Sequence, residues 1–415
     1  MKNKKITLSV ILIIFLAITS KLSASTFFSG YAGGKINFGS NPTASKYDPD
    51  LTLQAFFAGQ FNFSQNIWSH AELSIDTDDF IDTTIFNATT SLLQIDELSL
   101  IIRGLFDDGT NYFSAYMGTY DPIGSDVFLQ RYFGIDPISS HLTESYLGLA
   151  GSILYPHFGF GISDIVKFYE KPLALGGYVY LNKEKQITDT STGVKNEKDI
   201  YVLNTDFRIA SVLRYFTCDF AFGLGAPLVT QQDYDDLIVA IDKLYWHFGA
   251  TMLIGNNYTT SLFIQAGFNG AFQGKNSLSN PSPEKLYILF EPRFIIKNLH
   301  LNFSLFSLPK DTVNKLLLLD DCLGLDVNIY NENISIGSMN FSVGTHGSLS
   351  VKNRTLLDLG QGDFFGDGLN INITPYISTE FLSGEMHAQV SIKLMEFKKS
   401  FGNAFSIDLG YRTKF

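Results

Sequence analysis

Cysteine is scarce in this chain of 415 residues, which contains only Cys218 and Cys322. A small secreted domain stapled by disulfides carries many more cysteines, so that class of protein is excluded. We expect the two residues to remain thiols, because they lie on segments that the sequence places apart.

Long apolar runs are lacking after the N-terminus, although apolar residues make up 45% of the chain. At the N-terminus itself, Lys2, Lys4 and Lys5 precede an apolar run over 8–18, and small residues follow at 23–25. This order is typical of a secretory signal peptide, and a run of ~11 residues is shorter than the ~18 of a membrane-spanning helix. We therefore predict a cleaved signal peptide over 1–25 and a mature protein over 26–415.

Basic residues are in deficit, since 30 Lys and Arg stand against 41 Asp and Glu. Removal of residues 1–25 takes away four lysines, which leaves 26 basic and 41 acidic residues and a net charge of −15. Such a chain repels polyanions, so we expect no nucleic-acid partner.

Recognisable catalytic motifs are also lacking. The sequence has no G-x-S-x-G, H-E-x-x-H or C-x-x-C motif and no phosphate-binding glycine loop. His70 and Glu72 share one face of a predicted strand, which is the arrangement of a base oriented by a carboxylate. The seven histidines are otherwise scattered. We predict that the protein is not an enzyme and has no metal or cofactor, with a hydrolase built on a β-barrel as an alternative.

Alternation of apolar and polar residues is what the sequence has in abundance. Segments 51–63 and 67–76 alternate in this way around a turn at 64–66, which predicts a hairpin with one apolar face. Eighteen such segments occur, and many are longer than the ~5–6 residues usual for soluble strands. They are 27–38, 51–63, 67–76, 92–103, 111–120, 144–154, 172–182, 200–209, 212–222, 245–255, 260–272, 286–297, 299–308, 323–330, 334–343, 369–382, 385–395 and 404–415.

The connections between these segments alternate between short and long. Short periplasmic turns and long extracellular loops are typical of outer-membrane barrels, whose even strand number returns both termini to the periplasm. The sequence therefore predicts an all-β fold, a transmembrane up-and-down antiparallel β-barrel of about 18 strands. Residues 155–171 are too long for a short turn and 396–403 too short for a long loop, so 16 strands is the alternative.

The last twelve residues, AFSIDLGYRTKF, alternate apolar and polar side chains and end on Phe415. This pattern resembles the assembly signal of bacterial outer-membrane β-barrels, carried here by Tyr411 and Phe415, and the mature chain resembles a porin of no identifiable subfamily. A soluble propeller is disfavoured because no repeat of ~40–50 residues is present. A structural or adhesive barrel would carry larger loops or an added domain.

The resemblance implies a location in the cell outer membrane and a water-filled diffusion channel for small polar solutes and ions. It also implies contact with outer-membrane lipid and the barrel-assembly machinery, and a homo-trimer as one assembly state. In porins the third extracellular loop typically folds into the barrel and narrows it; an ordinary loop over the rim is the alternative. By resemblance, that loop here is 121–143, and the residues bordering the constriction would be Asp121, Asp126, Arg131, Tyr132 and Asp136.

Charged residues on the predicted strands are assigned to the lumen. A base that faces lipid near the midplane costs on the order of 2–4 kcal/mol, so the register that turns charges inward is favoured. Acidic and basic residues are nearly balanced on this inner face. The predicted pore-lining residues are Glu72, Glu97, Arg103, Asp206, Arg208, Glu291, Arg293, Lys297, Glu380 and Lys393.

Overall fold

The structure is a computed structural model. It describes residues 28–40, 48–77, 79, 91–123, 127–135, 138–142, 155–189, 195–230, 237–241, 244–272, 286–308, 323–337, 339–351, 354, 368–381, 384–398 and 401–414. The predicted signal peptide, the predicted strand 144–154 and Phe415 lie outside these residues.

The described residues form nineteen strands. They are β1 Phe28–Ser40, β2 Pro49–Ser64, β3 Ile67–Thr77, β4 Ser91–Phe106, β5 Gly109–Ile123, β6 Tyr155–Phe168, β7 Leu173–Asp189, β8 Lys195–Leu213, β9 Phe216–Thr230, β10 Leu237–Val239, β11 Tyr245–Ile254, β12 Ser261–Phe272, β13 Leu286–Ile296, β14 Leu299–Ser307, β15 Leu323–Ile336, β16 Met339–Val351, β17 Leu369–Phe381, β18 Gly384–Lys393 and β19 Phe405–Lys414.

The strands close into a barrel in which neighbours along the chain pair antiparallel. β1 pairs with β2 on one side and with β19 on the other, and Tyr31 lies opposite both Ala58 and Lys414. The short β10 pairs with the end of β9, just beyond the stretch of β9 that pairs with β11, so β10 and β11 share one place in the wall. The predicted antiparallel barrel of 18 strands is confirmed, and the alternative of 16 is wrong.

Helical structure in the described residues is limited to short pieces. An α-helix, α1, spans Val127–Phe133 after β5, and two 3₁₀ turns, Glu396–Lys398 and Gly402–Ala404, lie between β18 and β19. Among the described residues, no helix is long and apolar enough to cross a membrane.

Alternating side chains give the wall two different faces. On β4, Leu98 and Leu100 are exposed on the outer face, whereas Glu97 and Ser99, which alternate with them, are buried on the inner face. The same alternation continues on the last strand, where Ile407 is exposed outside. Because successive side chains of a strand point to opposite faces, one apolar and one polar surface follow directly from the sequence.

The structure corrects the prediction around residues 155–171. This segment is not a long turn: Tyr155–Phe168 is strand β6, paired with β5 and β7, and only 169–172 form the turn to β7. The sixth strand therefore lies later in the chain than the predicted 144–154. The shift turns the anomalous long connection into a short one, and the predicted strand number is unchanged.

The terminal strand also shows how a small residue accommodates an aromatic one. A Cβ atom added to Gly384 of β18 would lie only 2.5 Å from the hydroxyl oxygen of Tyr411. The Tyr411 hydroxyl donates to the carbonyl oxygen of Phe381 at 3.3 Å. Tyr411 thus covers the glycine at the hairpin between β17 and β18.

Candidate functional site

The β5–β6 hairpin leaves the wall at two glycines. Gly118 and Gly159 lie opposite each other, with φ of +97° and +149°. A Cβ on Gly118 would lie 2.3 Å from the carbonyl oxygen of Asp96, and one on Gly159 equally close to that of Leu181. Pairing between β4 and β5 ends at Gly118, and pairing between β6 and β7 ends at Phe160. Beyond the glycines, the described residues of β5 and β6 pair with each other and not with the wall.

The hairpin turns into the lumen and contacts the inner face of the nearby strands β8 and β9. Asp121, just past Gly118, is fully buried and has φ of +42°. Its carbonyl oxygen accepts a hydrogen bond from Nη1 of Arg208 on β8 at 2.6 Å. The same guanidinium group binds the carboxylate of Asp219 on β9, with Nε donating at 2.7 Å. Arg208 therefore holds the bent hairpin against the inner face.

Helix α1 packs on this inner face with its apolar side. Phe128, Leu129 and Tyr132 are almost completely buried. The guanidinium carbon of Arg208 lies 3.8 Å from the centroid of the Phe128 ring, within the range of a cation–π contact. Burial of these side chains stabilises the helix in the lumen, since a seven-residue helix is too short to be stable by itself.

Arg131 of the same helix lies between two carboxylates. Its Nη1 atom is 2.6 Å from Oδ1 of Asp121, and its Nη2 atom is 2.9 Å from Oε1 of Glu97 on β4. The hydroxyl of Tyr132 donates to Oδ2 of Asp121 at 3.2 Å. Asp121, Arg131 and Tyr132 thus come together, whereas Asp126 and Asp136 lie outside the described residues.

A second part of the loop, 138–142, binds the wall at β13, almost opposite β4. The hydroxyl of Ser140 donates to Oε2 of Glu291, and the carbonyl oxygen of Ser139 accepts from Nη2 of Arg293 at 2.6 Å. Arg293 also donates to Glu291 through Nε at 2.8 Å. Attached at β4, β8 and β13, the loop crosses the inside of the barrel.

The crossing loop leaves the two sides of the lumen unequally covered. On β7 to β9, Tyr178, Asp206 and Arg208 are each no more than 3% exposed. On the other side, the inward side chains of Lys35 on β1 and Glu72 on β3 are 17% and 13% exposed. We call the face formed by β17–β19 and β1–β3 the open side.

The predicted lining residues divide accordingly. Glu97, Asp206, Arg208, Glu291 and Arg293 are buried and paired, with Asp206 bound to Nε2 of His247 at 2.8 Å. The rest lie nearer the open side or at the ends of the barrel: Glu72 and Lys393 are half-buried on strands, Glu380 is exposed beside the β17–β18 turn, Arg103 donates to Asn66 in the β2–β3 turn, and Lys297 occupies the β13–β14 turn with φ of +58°.

A row of histidine and tyrosine rings lies on the inner face of β14–β18, and sequence reasoning missed its histidines. His300 stacks on Tyr330 with centroids 4.5 Å apart, and Tyr376 lies 5.2 Å from His346 and 5.6 Å from His387. Each histidine occupies an inward position between outward-facing neighbours. The alternation of the sequence already places Tyr376 on the inner face, but the histidines were left out because only acids and the bases Lys and Arg were taken as the charged lining.

Comparison with known proteins identifies the fold. No protein-family model matches the sequence, and a search of curated proteins finds no match. Acinetobacter baumannii OccAB3 aligns over 94% of this chain and 99% of its own, with 11% identity and a TM-score of 0.51. The chain has the fold of a porin-type β-barrel.

Two further solved structures align with lower TM-scores. A variant of the Rhodopseudomonas blastica porin covers 94% of this chain and 100% of its own, with 11% identity and a TM-score of 0.44. Salmonella typhi OmpF in complex with daunomycin covers 94% and 97%, with 12% identity and a TM-score of 0.38.

Proposed function

We propose that the protein is an outer-membrane porin, a water-filled channel through which small polar solutes and ions diffuse. The observation that carries the proposal is a closed wall that is apolar outside and charged inside, crossed by a loop that leaves one side of the lumen partly accessible. A channel needs these features together, because lipid meets the outer face and solutes meet the inner one.

The apolar outer face supports a location in the membrane. Large side chains on successive outward positions are highly exposed, such as Phe160 at 68% and Leu409 at 52%. Contiguous apolar surface of this kind marks contact with lipid or another protein. Lipid contact around the whole wall accounts for it on every strand, and a homo-trimer would cover part of it.

The loop contacts support a constriction. Glu97, Asp121, Arg131 and Tyr132 gather at one level of the lumen, where opposite charges lie within 3 Å of each other. In the proposed channel, solutes pass between this group and the open side. Charges that face each other across a narrow aqueous path filter solutes by size and charge.

The hydrogen bonds around His70 support a channel rather than a hydrolase. Nε2 of His70 is 2.9 Å from Oε1 of Glu72, as expected of an oriented base. Ser99 lies opposite His70 in the register, but its hydroxyl donates to Glu97 at 2.6 Å. A nucleophile must bond to its base, and in the described part of the chain this serine does not.

The direct test is conductance of the refolded protein in planar bilayers, combined with swelling of liposomes in small sugars. We expect stepwise ion conductance and sugar entry that falls as the sugar becomes larger. Refolded barrels that insert but conduct no ions would overturn the proposal. An esterase and peptidase assay on the same material should give no turnover.

A matched pair of variants tests which side of the lumen carries solutes. Glu72→Gln removes one charge from the open side, and Asp206→Asn removes one from the covered side with equally little change in shape. We expect Glu72→Gln to lower the preference for cations and Asp206→Asn to leave it unchanged. Equal shifts in the two variants would contradict passage along the open side.

A further inference from the structure

Three side chains of the types that bind metal ions in proteins converge beside the proposed constriction. The ligand atoms of His70, Glu72 and Glu97 all lie within 4.8 Å of one another, and Nε2 of His70 is 2.9 Å from Oε1 of Glu72. His70 and Glu72 are half-buried on the open side, and Glu97 is 2% exposed. The group is thus reachable from the lumen and backed by the wall.

The strand register brings the two carboxylates face to face. Glu72 of β3 lies directly opposite Glu97 of β4, and the next pair is Leu73 with Ile95. Asp96 is therefore the extra residue of a β-bulge, and its Oδ2 atom is buried without a hydrogen-bond partner. Like charges directly opposite each other destabilise a sheet unless a cation lies between them. Bulges are also over-represented where a strand positions a functional side chain.

The surroundings of Glu97 are those of a metal ligand held in place. Ser99 donates to its Oε1 atom at 2.6 Å, and Nη2 of Arg131 is 2.9 and 3.1 Å from its two oxygens. Carboxylates that bind metals are commonly fixed by such outer hydrogen bonds. Arg131 thus restrains Glu97 from the side of helix α1.

We propose that His70, Glu72 and Glu97 bind a divalent transition-metal ion of the Zn²⁺ type. One imidazole nitrogen and two carboxylates suit Zn²⁺, whereas Ca²⁺ takes six to eight oxygen ligands. Ligands at about 2.1 Å from a tetrahedral Zn²⁺ lie about 3.4 Å apart, so shifts of about 1 Å close the group around the ion. The fourth position faces the lumen and is left to water or a passing solute.

The test is isothermal titration of the detergent-refolded full-length chain with Zn²⁺. We expect one site per chain, weakened at least tenfold in His70→Gln and in Glu72→Gln, and not displaced by an equal concentration of Ca²⁺. The matched control is His300→Gln, because His300 also has a carboxylate neighbour, Glu332 at 3.4 Å, but no second one in the described residues. This control should bind Zn²⁺ as the wild type does.

A second readout locates the ion without relying on the ligand variants. Trp68 is two residues from His70 on the same face of β3, and Trp246 packs against Phe222 and Phe248 on the outer face. In a Trp246→Phe background, Co²⁺ should quench the remaining tryptophan and Zn²⁺ should restore its emission.

The proposal is overturned if the wild type shows no binding when titrated with Zn²⁺ to about 1 mM. A Kd above about 1 mM would mean that the three side chains do not form a specific site. It is equally overturned if His70→Gln and Glu72→Gln, both folded by circular dichroism, bind as tightly as the wild type. Neither result depends on conductance, so a failure of the metal-site proposal can be distinguished from a failure of the proposed channel function.

Discussion

Arg131 offers the sharpest test of the constriction, because its charge can be changed in two equal steps. Arg131→Gln removes one positive charge, and Arg131→Glu replaces it with a negative one between the carboxylates of Glu97 and Asp121. Cations should gain and anions should lose in both variants, twice as strongly in the second.

The size of the effect follows from Coulomb's law. A change of two charges about 10 Å from a permeant ion alters its energy by about 0.8 kcal/mol in water, or about 0.6 kcal/mol after screening at 0.01 M salt. Because cations and anions shift in opposite directions, the permeability ratio should change about sevenfold in Arg131→Glu and about threefold in Arg131→Gln. At 1 M salt, where the screening length is about 3 Å, the change should vanish.

Reversal potentials across a salt gradient measure this ratio. Removing one partner of a buried ion pair also weakens the loop anchor, so the control must loosen the loop without changing charge. Tyr132→Phe does this, since it deletes the hydroxyl bonded to Asp121 and Tyr120. Reversal potentials that stay at the wild-type value in both charge variants at 0.01 M would refute the placement of Arg131 beside the ion path.

Three further outcomes are expected. Gly118→Val should force the hairpin out of its bend, because a Cβ would lie 2.3 Å from the carbonyl oxygen of Asp96. Conductance should then rise, or the amount of folded barrel should fall. Unchanged conductance would show that the bend does not depend on Gly118. Burial lowers the pKa of His141 to about 3, so the loop segment should lose stability as the pH falls from about 6.5 toward 3. Protease cleavage of the loop should therefore be greater at pH 4 than at pH 7 in the wild type, but not in His141→Asn. Deleting Phe415 should reduce the amount inserted into the outer membrane without reducing export, and equal membrane levels would show that the residue is incidental.

The strand pattern could be predicted from the sequence because lipid imposes one rule on the outer face of every strand. The rule that inward positions are polar failed on β6. Ile165 points inward and is fully buried, while Asp164 is exposed on the outer face and binds Asn111 of β5. The crossing loop brings its own apolar side chains into the lumen, and Ile165 packs with them in one buried cluster. A sequence gives no sign of which inner residues a loop will cover.

The charged residues of the candidate site could be predicted, but their partners could not. Arg208 and Glu291 were assigned to the inner face because an outward charge is costly. That Arg208 binds the carbonyl oxygen of Asp121, and Glu291 the hydroxyl of Ser140, depends on where the hairpin bends. The bend rests on Gly118 and its opposite glycine, which no local pattern distinguishes from the other glycines of the strands.

The seam between β1 and β19 has a consequence for how the chain folds. Nδ2 of Asn37 donates to Oδ1 of Asp408 at 2.8 Å, across 371 positions of sequence. Most other neighbouring strands in the wall follow one another closely along the chain, whereas this pair joins the first described strand to the last, Phe405–Lys414. Contacts of such high sequence separation form slowly, and unpaired strand edges invite association with other chains until they form. A chain that ended before β19 would leave the edges of β1 and β18 unpaired, even if all the strands between them formed correctly.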